Sequence, residues 1–261
     1  MRIGFIGAGN MGSALARAAS RCKSCEVYIY DKDTDKARAV AKELSAEYKC
    51  ATEIASECDY IFLGVKPNII PTAIDEIKGS LNTDAVIVSM AAGVKIADIQ
   101  ATLPTSPIIR IMPNTPCAVG MGMILWCKNE RVSDSEADGF LAAMDAAGKL
   151  LSLDESLIDA GTAVSGCGPA FVYMFIDAMA RGGAEAGLAY EDALTLAAST
   201  AMGAAKMIET SGKSPEDLRI AVCSPGGSTI EGVKSLFADE LEAKVKAAVA
   251  ASYKRTKELG K

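Results

Sequence analysis

The feature that most constrains this chain is the turn Gly7-Ala8-Gly9-Asn10-Met11-Gly12, set between a short apolar run and an alanine-rich stretch. Arg2 to Ile6 reads as a buried strand, and Asn10 to Ser20 reads as a helix. In that context the three glycines have separate duties. Gly7 permits the tight turn, Gly9 lets the backbone approach a pyrophosphate, and Gly12 lets helix and strand pack closely. The phosphates of a dinucleotide then lie on the helix N-terminus, where unpaired amides and the helix dipole favour negative charge.

The following residues continue the pattern. Val27 to Tyr30, Tyr60 to Val65, Ala85 to Met90 and Ile108 to Met112 read as strands. Thr34 to Leu44, with Thr34 as N-cap, and Pro67 to Lys78 read as helices. The alternation predicts an α/β fold: an N-terminal Rossmann-type, doubly wound parallel sheet covered on both faces. From Leu157 onward no strand pattern remains. Helices are expected at Phe171 to Gly187, Glu191 to Thr210 and Glu240 to Leu259. The predicted organisation is therefore a dinucleotide-binding domain over 1–155 and an all-α substrate-binding and dimerisation domain over 156–261. The C-terminal helices are apolar nearly all round, more than a small bundle can bury, so a homodimer through them is expected. A higher oligomer of such dimers stays open.

Asp31 stands nineteen residues beyond Gly12, at the end of the second strand. An acid there hydrogen-bonds a ribose 2′-hydroxyl and disfavours a 2′-phosphate, which points to NADH. Lys32, Lys36 and Arg38 lie close by and could accept the phosphate of NADPH, so both cofactors stay open. Three later segments fall at strand carboxyl ends and should line the nicotinamide half. They are Gly64-Val65-Lys66-Pro67-Asn68, Ser89-Met90-Ala91-Ala92-Gly93 and Arg110-Ile111-Met112-Pro113-Asn114-Thr115-Pro116.

Composition narrows the partners. A net charge of −6 repels phosphate backbones and anionic lipid, which argues against nucleic-acid and membrane-surface binding. The N-terminus lacks the long apolar core of an export signal, and no uninterrupted charge-free apolar run of about 18 residues appears. No membrane span and a cytoplasmic address are the expectations. Of the eight cysteines only Cys22 and Cys25 are closely spaced, with no second pair to complete a zinc site. The chain has no histidine. That removes Ser-His-Asp and Cys-His nucleophilic schemes, leaving water, a hydroxyl, a carboxylate or a lysine to move any proton.

Two segments of the helical half are too specific for linkers. Ala163-Val-Ser165-Gly166-Cys167-Gly168-Pro169-Ala-Phe171 and Val222-Cys-Ser224-Pro-Gly226-Gly227-Ser228-Thr229 each read as a loop leading into a helix. Glycine beside hydroxyl residues at a helix start makes an anion nest suited to a carboxylate; the alternative is capping alone.

With IGAGNMG, GVKPN, SMAAG, RIMPNTP, AVSGCGPAF, GAAKM and SPGGSTIEG in place, the chain resembles the pyrroline-5-carboxylate reductases along nearly its whole length. The resemblance implies hydride transfer from NADPH or NADH to the C=N carbon of a five-membered cyclic imino acid, giving proline. It implies cofactor contacts from Ile6, Gly7, Ala8, Gly9, Asn10, Met11, Gly12, Val65, Lys66, Pro67, Ala91, Ala92 and Asn114, with Asp31 as above. It implies that Ser224, Gly226, Gly227, Ser228 and Thr229 bind the substrate carboxylate and ring, with Ser165, Gly166 and Gly168 beside them. Thr229 would be the catalytic residue, hydrogen-bonded to the imine nitrogen. Cys167 stands where many members carry serine, and Ala221 where some carry a polar residue. Two alternatives remain. A 3-hydroxyacid dehydrogenase shares the glycine turn and a helical second half, but Lys206 lacks the preceding glycine pattern of that family's lysine helix. A non-catalytic dinucleotide-binding module has no need of a second anion nest.

Overall fold

The computed structural model describes residues 1–259. Its first part runs β1 (Arg2–Ile6), α1 (Asn10–Ala19), β2 (Glu26–Tyr30), α2 (Thr34–Leu44), β3 (Glu47–Tyr48), α3 (Ala51–Glu57) and β4 (Tyr60–Leu63). It continues with α4 (Ile70–Ile77), β5 (Val86–Ser89), α5 (Ile96–Gln100), β6 (Ile108–Met112), β7 (Gly122–Lys128), α6 (Asp134–Met144) and β8 (Gly148–Ser152). The strands form one sheet in the order β3-β2-β1-β4-β5-β6-β7-β8.

The expected buried strands have the expected cause. β4 and β5 are buried at every residue, and alternate side chains enter two apolar layers, one on each face of the sheet. Phe5 and Phe62 stack in one layer with ring centroids 4.6 Å apart. Ile61, Leu63 and Ile87 enter the other.

Three details differ from the sequence reading. The sheet is mixed, because β7 runs antiparallel to β6 before pairing parallel with β8. The segment between β6 and β7 holds only a short 3₁₀ turn, Thr115–Val119, too little for the crossover that a parallel neighbour needs. The N-cap of α2 is Asp33, not Thr34: its carboxylate accepts the Lys36 amide at 3.1 Å. A helix from Pro67 starts instead as a 3₁₀ turn, Pro67–Ile69, ahead of α4.

Beyond β8 come α7 (Glu155–Gly161), a π-helical turn (Thr162–Gly166), α8 (Gly168–Glu185), α9 (Tyr190–Thr210), α10 (Pro215–Ala221), α11 (Ser228–Ala238) and α12 (Leu241–Leu259). The chain divides into two compact units: Met1–Cys167 with residues 252–259, and Gly168–Ala251.

Within the second unit α8 and α9 pack through small residues, around Ala180, Ala193 and Ala197. That core is slight, and large apolar side chains stay uncovered, Tyr173, Met174, Leu196, Met202 and Phe237 among them, with Met174 at 73% exposure. So much bare apolar surface marks a face that another surface covers. Within the helical run Glu155–Glu185 an 18-residue window has a mean hydropathy of 1.3, long and apolar enough, by length and composition alone, to cross a membrane. The expectation of no 18-residue apolar run free of charge still holds, because Asp159 and Asp177 leave a shorter charge-free stretch between them. Thr162, Ser165, Gly166 and Pro169 interrupt a strictly apolar run without removing its apolar average.

Candidate active site

The site is built where the strand order reverses. From β1 the chain moves outward through β2 and β3, then returns to lay β4 on the other side of β1. Connections leaving β1 and β4 therefore diverge and open a crevice at the carboxyl ends of the strands. Ile6 pairs with Leu63, Leu63 with Ser89, and Ser89 with Arg110. That register brings the starts of the Gly7, Gly64, Met90 and Pro113 loops to one edge of the sheet.

Gly7 holds a φ of +113°, a conformation open to glycine, and a Cβ there would meet Gly64 O at 2.6 Å. A Cβ on Gly12 would lie 2.1 Å from Gly7 O. Three backbone segments thus pack at contact distance through glycines, and Gly64 is the member that the sequence reading did not single out. Around Gly9, by contrast, a Cβ would find nothing within 4 Å. Gly9 is also the N-cap of α1, which has no side-chain cap and no acidic residue in its first turn. An uncapped helix start facing open space, with only glycine at its rim, fits the pyrophosphate of a dinucleotide.

The adjoining cavity is lined by Ile6, Gly7, Gly9, Asp31, Val65 and Lys66 from the expected set. Tyr30, Lys32, Lys36, Gly64, Ile69, Ala73 and Glu76 complete it. Asp31 is held from two sides: Oδ2 accepts the Ala8 amide at 2.7 Å, and Oδ1 accepts the Asp33 amide at 3.0 Å. Lys36 Nζ stands 4.0 Å from Oδ2. Arg38 does not line the cavity; its guanidinium lies over the Tyr48 ring, 4.4 Å from the centroid. Opposite, the Tyr30 hydroxyl donates to Glu76 Oε1 at 2.9 Å, and burial together with that carboxylate pushes its pKa up to about 12. Tyr30 and Glu76 lie 46 positions apart, beyond any local motif.

Ala8, Asn10, Met11, Gly12, Pro67, Ala91, Ala92 and Asn114 are not among the residues lining this cavity. Ala91 lies in the loop after β5, its amide donating to Ser89 Oγ at 3.4 Å. Asn114 follows β6 with its side-chain amide engaged at both ends: Nδ2 donates to Ser165 O at 2.9 Å, and Oδ1 accepts the Met123 amide at 2.9 Å.

Arg110, which the sequence reading treated only as the start of a loop motif, is 1% exposed. Its guanidinium meets Glu155 Oε1 at 3.2 Å and Asp159 Oδ1 at 3.0 Å, tying β6 to the first residue of α7 and to Asp159 one turn on. Glu155 Oε1 also accepts the Ile96 amide at 2.8 Å.

The two expected anion nests differ. Ser165 to Pro169 is not a loop opening a helix. Ser165 and Gly166 belong to the π-helical turn, and Gly168 begins α8. The Cys167 amide is bonded to Thr162 O at 3.0 Å, and Ser165 Oγ donates to Gly161 O at 3.1 Å. Two donors that a nest there would use, the Cys167 amide and the Ser165 hydroxyl, are thus engaged within the helix. The second segment has the expected form. Gly226 holds φ +72°, the Gly227 amide donates to Ser224 O at 3.0 Å, and Gly227 caps α11 without a side-chain bond. Ser224, Ser228 and Thr229 are exposed at that uncapped start. The cysteines are all free, and no group of three or more His, Cys, Asp or Glu side chains among the described residues is arranged to hold a metal.

Comparison with known proteins agrees with this geometry. Residues 155–259 match the family model described as pyrroline-5-carboxylate reductase dimerisation, and residues 2–93 match that of the coenzyme F420-dependent NADP oxidoreductases. The chain is 37% identical to the pyrroline-5-carboxylate reductase of Arabidopsis thaliana, covering 99% of this chain and 95% of that protein. It is 36% identical to the enzyme of Escherichia coli, covering 100% and 98%. The crystal structure of Plasmodium falciparum pyrroline carboxylate reductase with NADP bound superposes with a TM-score of 0.88 at 30% identity, covering 100% of this chain and 98% of that one. Identity of this level over the full length of both chains sets aside the hydroxyacid-dehydrogenase and non-catalytic alternatives: the chain belongs to the pyrroline-5-carboxylate reductase family.

Proposed function

We propose that this protein reduces 1-pyrroline-5-carboxylate to L-proline with a reduced nicotinamide dinucleotide. The observation that carries the reading is the full-length likeness to these reductases, joined to an uncapped, glycine-rimmed helix start beside Asp31. When bound, the cofactor supplies a hydride to the C=N carbon. The proton on the ring nitrogen comes from solvent, since an imine is basic enough to carry it before reduction. No strong general acid is needed, which suits a chain without histidine. What the protein contributes is orientation and electrostatics.

The pyrophosphate lies on α1, against Gly9 and the amides of Asn10 to Gly12, with Ile6 to Ala8 beneath it. Val65, Lys66, Pro67, Ala91 and Ala92 belong to the nicotinamide side. The Ser224–Thr229 turn takes the substrate carboxylate: Gly226 and Gly227 bring backbone amides together, and Ser224 and Ser228 add hydroxyls. Ser165, Gly166 and Gly168 complete the substrate contacts. The Thr229 hydroxyl oxygen accepts from the protonated imine nitrogen. Thr229→Ala should lower kcat about ten- to hundredfold, as for loss of one charge-assisted hydrogen bond. Cofactor Kd, measured by fluorescence titration, should stay within about twofold for that variant. Unchanged turnover would remove Thr229 from the mechanism.

Asp31 makes NADH the better cofactor. Its carboxylate is fixed toward the cavity, and a 2′-phosphate placed there meets like charge that Lys36, 4.0 Å away, only partly offsets. Asp31→Asn keeps an acceptor for the Ala8 amide and removes the charge. It should raise the NADPH-to-NADH ratio of kcat/KM roughly tenfold, about 1.4 kcal/mol. An unmoved ratio would assign the preference elsewhere.

The bare apolar face of α8 and α9 is covered by a second copy of the chain, through the region matched by the dimerisation model. Residues 1–155 and 156–261 are then the cofactor-binding and the substrate-binding, dimerising parts. The free thiols suit a reducing, cytoplasmic setting.

A further inference from the structure

The bond between Asn114 and Ser165 has a chemical cause that points to a role. In a continuing helix Ser165 O would accept from the amide four residues on, but that residue is Pro169, which has no N–H. The π-helical turn also shifts the local pattern, since the Cys167 amide reaches back to Thr162 O rather than to Ala163 O. Ser165 O is thus a carbonyl that its own helix leaves without the usual donor. Asn114 Nδ2 supplies one at 2.9 Å. The same side chain is anchored from behind by the Met123 amide on Oδ1, with Cys117 Sγ a weak donor 3.9 Å away, and the residue is only 9% exposed. Its orientation is therefore fixed by the start of β7, and its free end reads the π turn.

We propose that the Asn114 side chain is a positioning residue for the substrate segment at Ser165 and Gly166, holding that turn at the carboxyl edge of β6 rather than touching the cofactor. This rests on the reading of Ser165 and Gly166 as substrate contacts. Within the π turn Thr162 Oγ1 donates to Ile158 O at 2.7 Å and Ser165 Oγ to Gly161 O at 3.1 Å. Both of those bonds are internal to the helix. Asn114 is the side chain that ties the turn to the sheet.

The deciding variant is Asn114→Asp, which keeps an acceptor for the Met123 amide and replaces the donor to Ser165 O with an acceptor. In the full-length protein, imine KM should rise about tenfold, the worth of one hydrogen bond made by a buried group. NADH Kd from fluorescence titration should stay within about twofold. Amide hydrogen exchange over residues 162–168 should quicken. Adding Pro169→Ala restores an N–H that can reach Ser165 O, so the double variant should regain exchange protection and part of the KM. Weakened NADH binding with an unmoved imine KM would overturn the proposal and make Asn114 a cofactor ligand. Unchanged exchange and KM would also overturn it. Wild-type protein that fails to reduce the imine at all would instead overturn the functional reading, whereas the exchange measurement would still judge the Asn114 tie.

Discussion

Gly9→Ala should weaken dinucleotide binding while leaving the ligand-free protein as stable as before, whereas Gly12→Ala should damage both. The difference follows from what each added methyl meets. At Gly9 a Cβ touches nothing in the chain within 4 Å, so folding is indifferent to it, but it enters the space that a pyrophosphate needs. At Gly12 the Cβ would sit 2.1 Å from Gly7 O, which is backbone held by its own close approach to Gly64. Neither atom can rotate away, so α1 must shift from β1. Overpacking of this kind costs about 1–3 kcal/mol of stability. A displaced α1 also carries its N-terminal amides away from the phosphates, and NADH Kd should rise about ten- to hundredfold. Denaturant melts of the ligand-free variants and NADH titrations separate the two effects. Equal loss of stability in both variants would mean that Gly9 also packs against the chain.

Arg110→Met should be the most destabilising change outside the glycine turn. The guanidinium is buried and shared between Glu155 and Asp159, and its Nε finds no hydrogen-bond partner among the described residues. Removing it leaves two neighbouring carboxylates without their cation. Breaking a fully buried pair costs about 3–5 kcal/mol. Here the carboxylate side chains keep 31% and 22% exposure, so water absorbs part of that and about 2–3 kcal/mol is expected. The effect should reach beyond stability, because Glu155 also holds the Ile96 amide and α7 leads directly into the π turn. A lowered denaturation midpoint should therefore accompany a raised imine KM. A melt unchanged from wild type would show that the ion pairs do not hold α7 in place.

Which parts of this site are legible in the chain, and which are not, has a physical pattern. The glycine turn reads directly because its residues act on their own backbone, within one strand–turn–helix unit. Asp31 reads because its distance from Gly12 is fixed by the length of α1 and β2. Gly64 does not, since a glycine after an apolar strand looks like any other until Gly7 O is seen against it. Tyr30 and Glu76 meet only through the tertiary fold. Arg110 reads as part of a loop motif because no local pattern announces its two carboxylate partners downstream. The Ser165–Pro169 stretch has the composition of a loop, and the helix continues through it because a π turn absorbs the extra residue and Asn114 takes the carbonyl that Pro169 cannot. β7 turns back antiparallel because the chain after β6 is too short to cross over, a fact of connection length rather than of residue type.

Purified full-length protein should consume NADH absorbance when 1-pyrroline-5-carboxylate is added, with L-proline formed in equal amount and no consumption with a 3-hydroxy acid or with cofactor alone. NADH that binds but is not oxidised by the imine, or oxidation that yields no proline, would contradict the account.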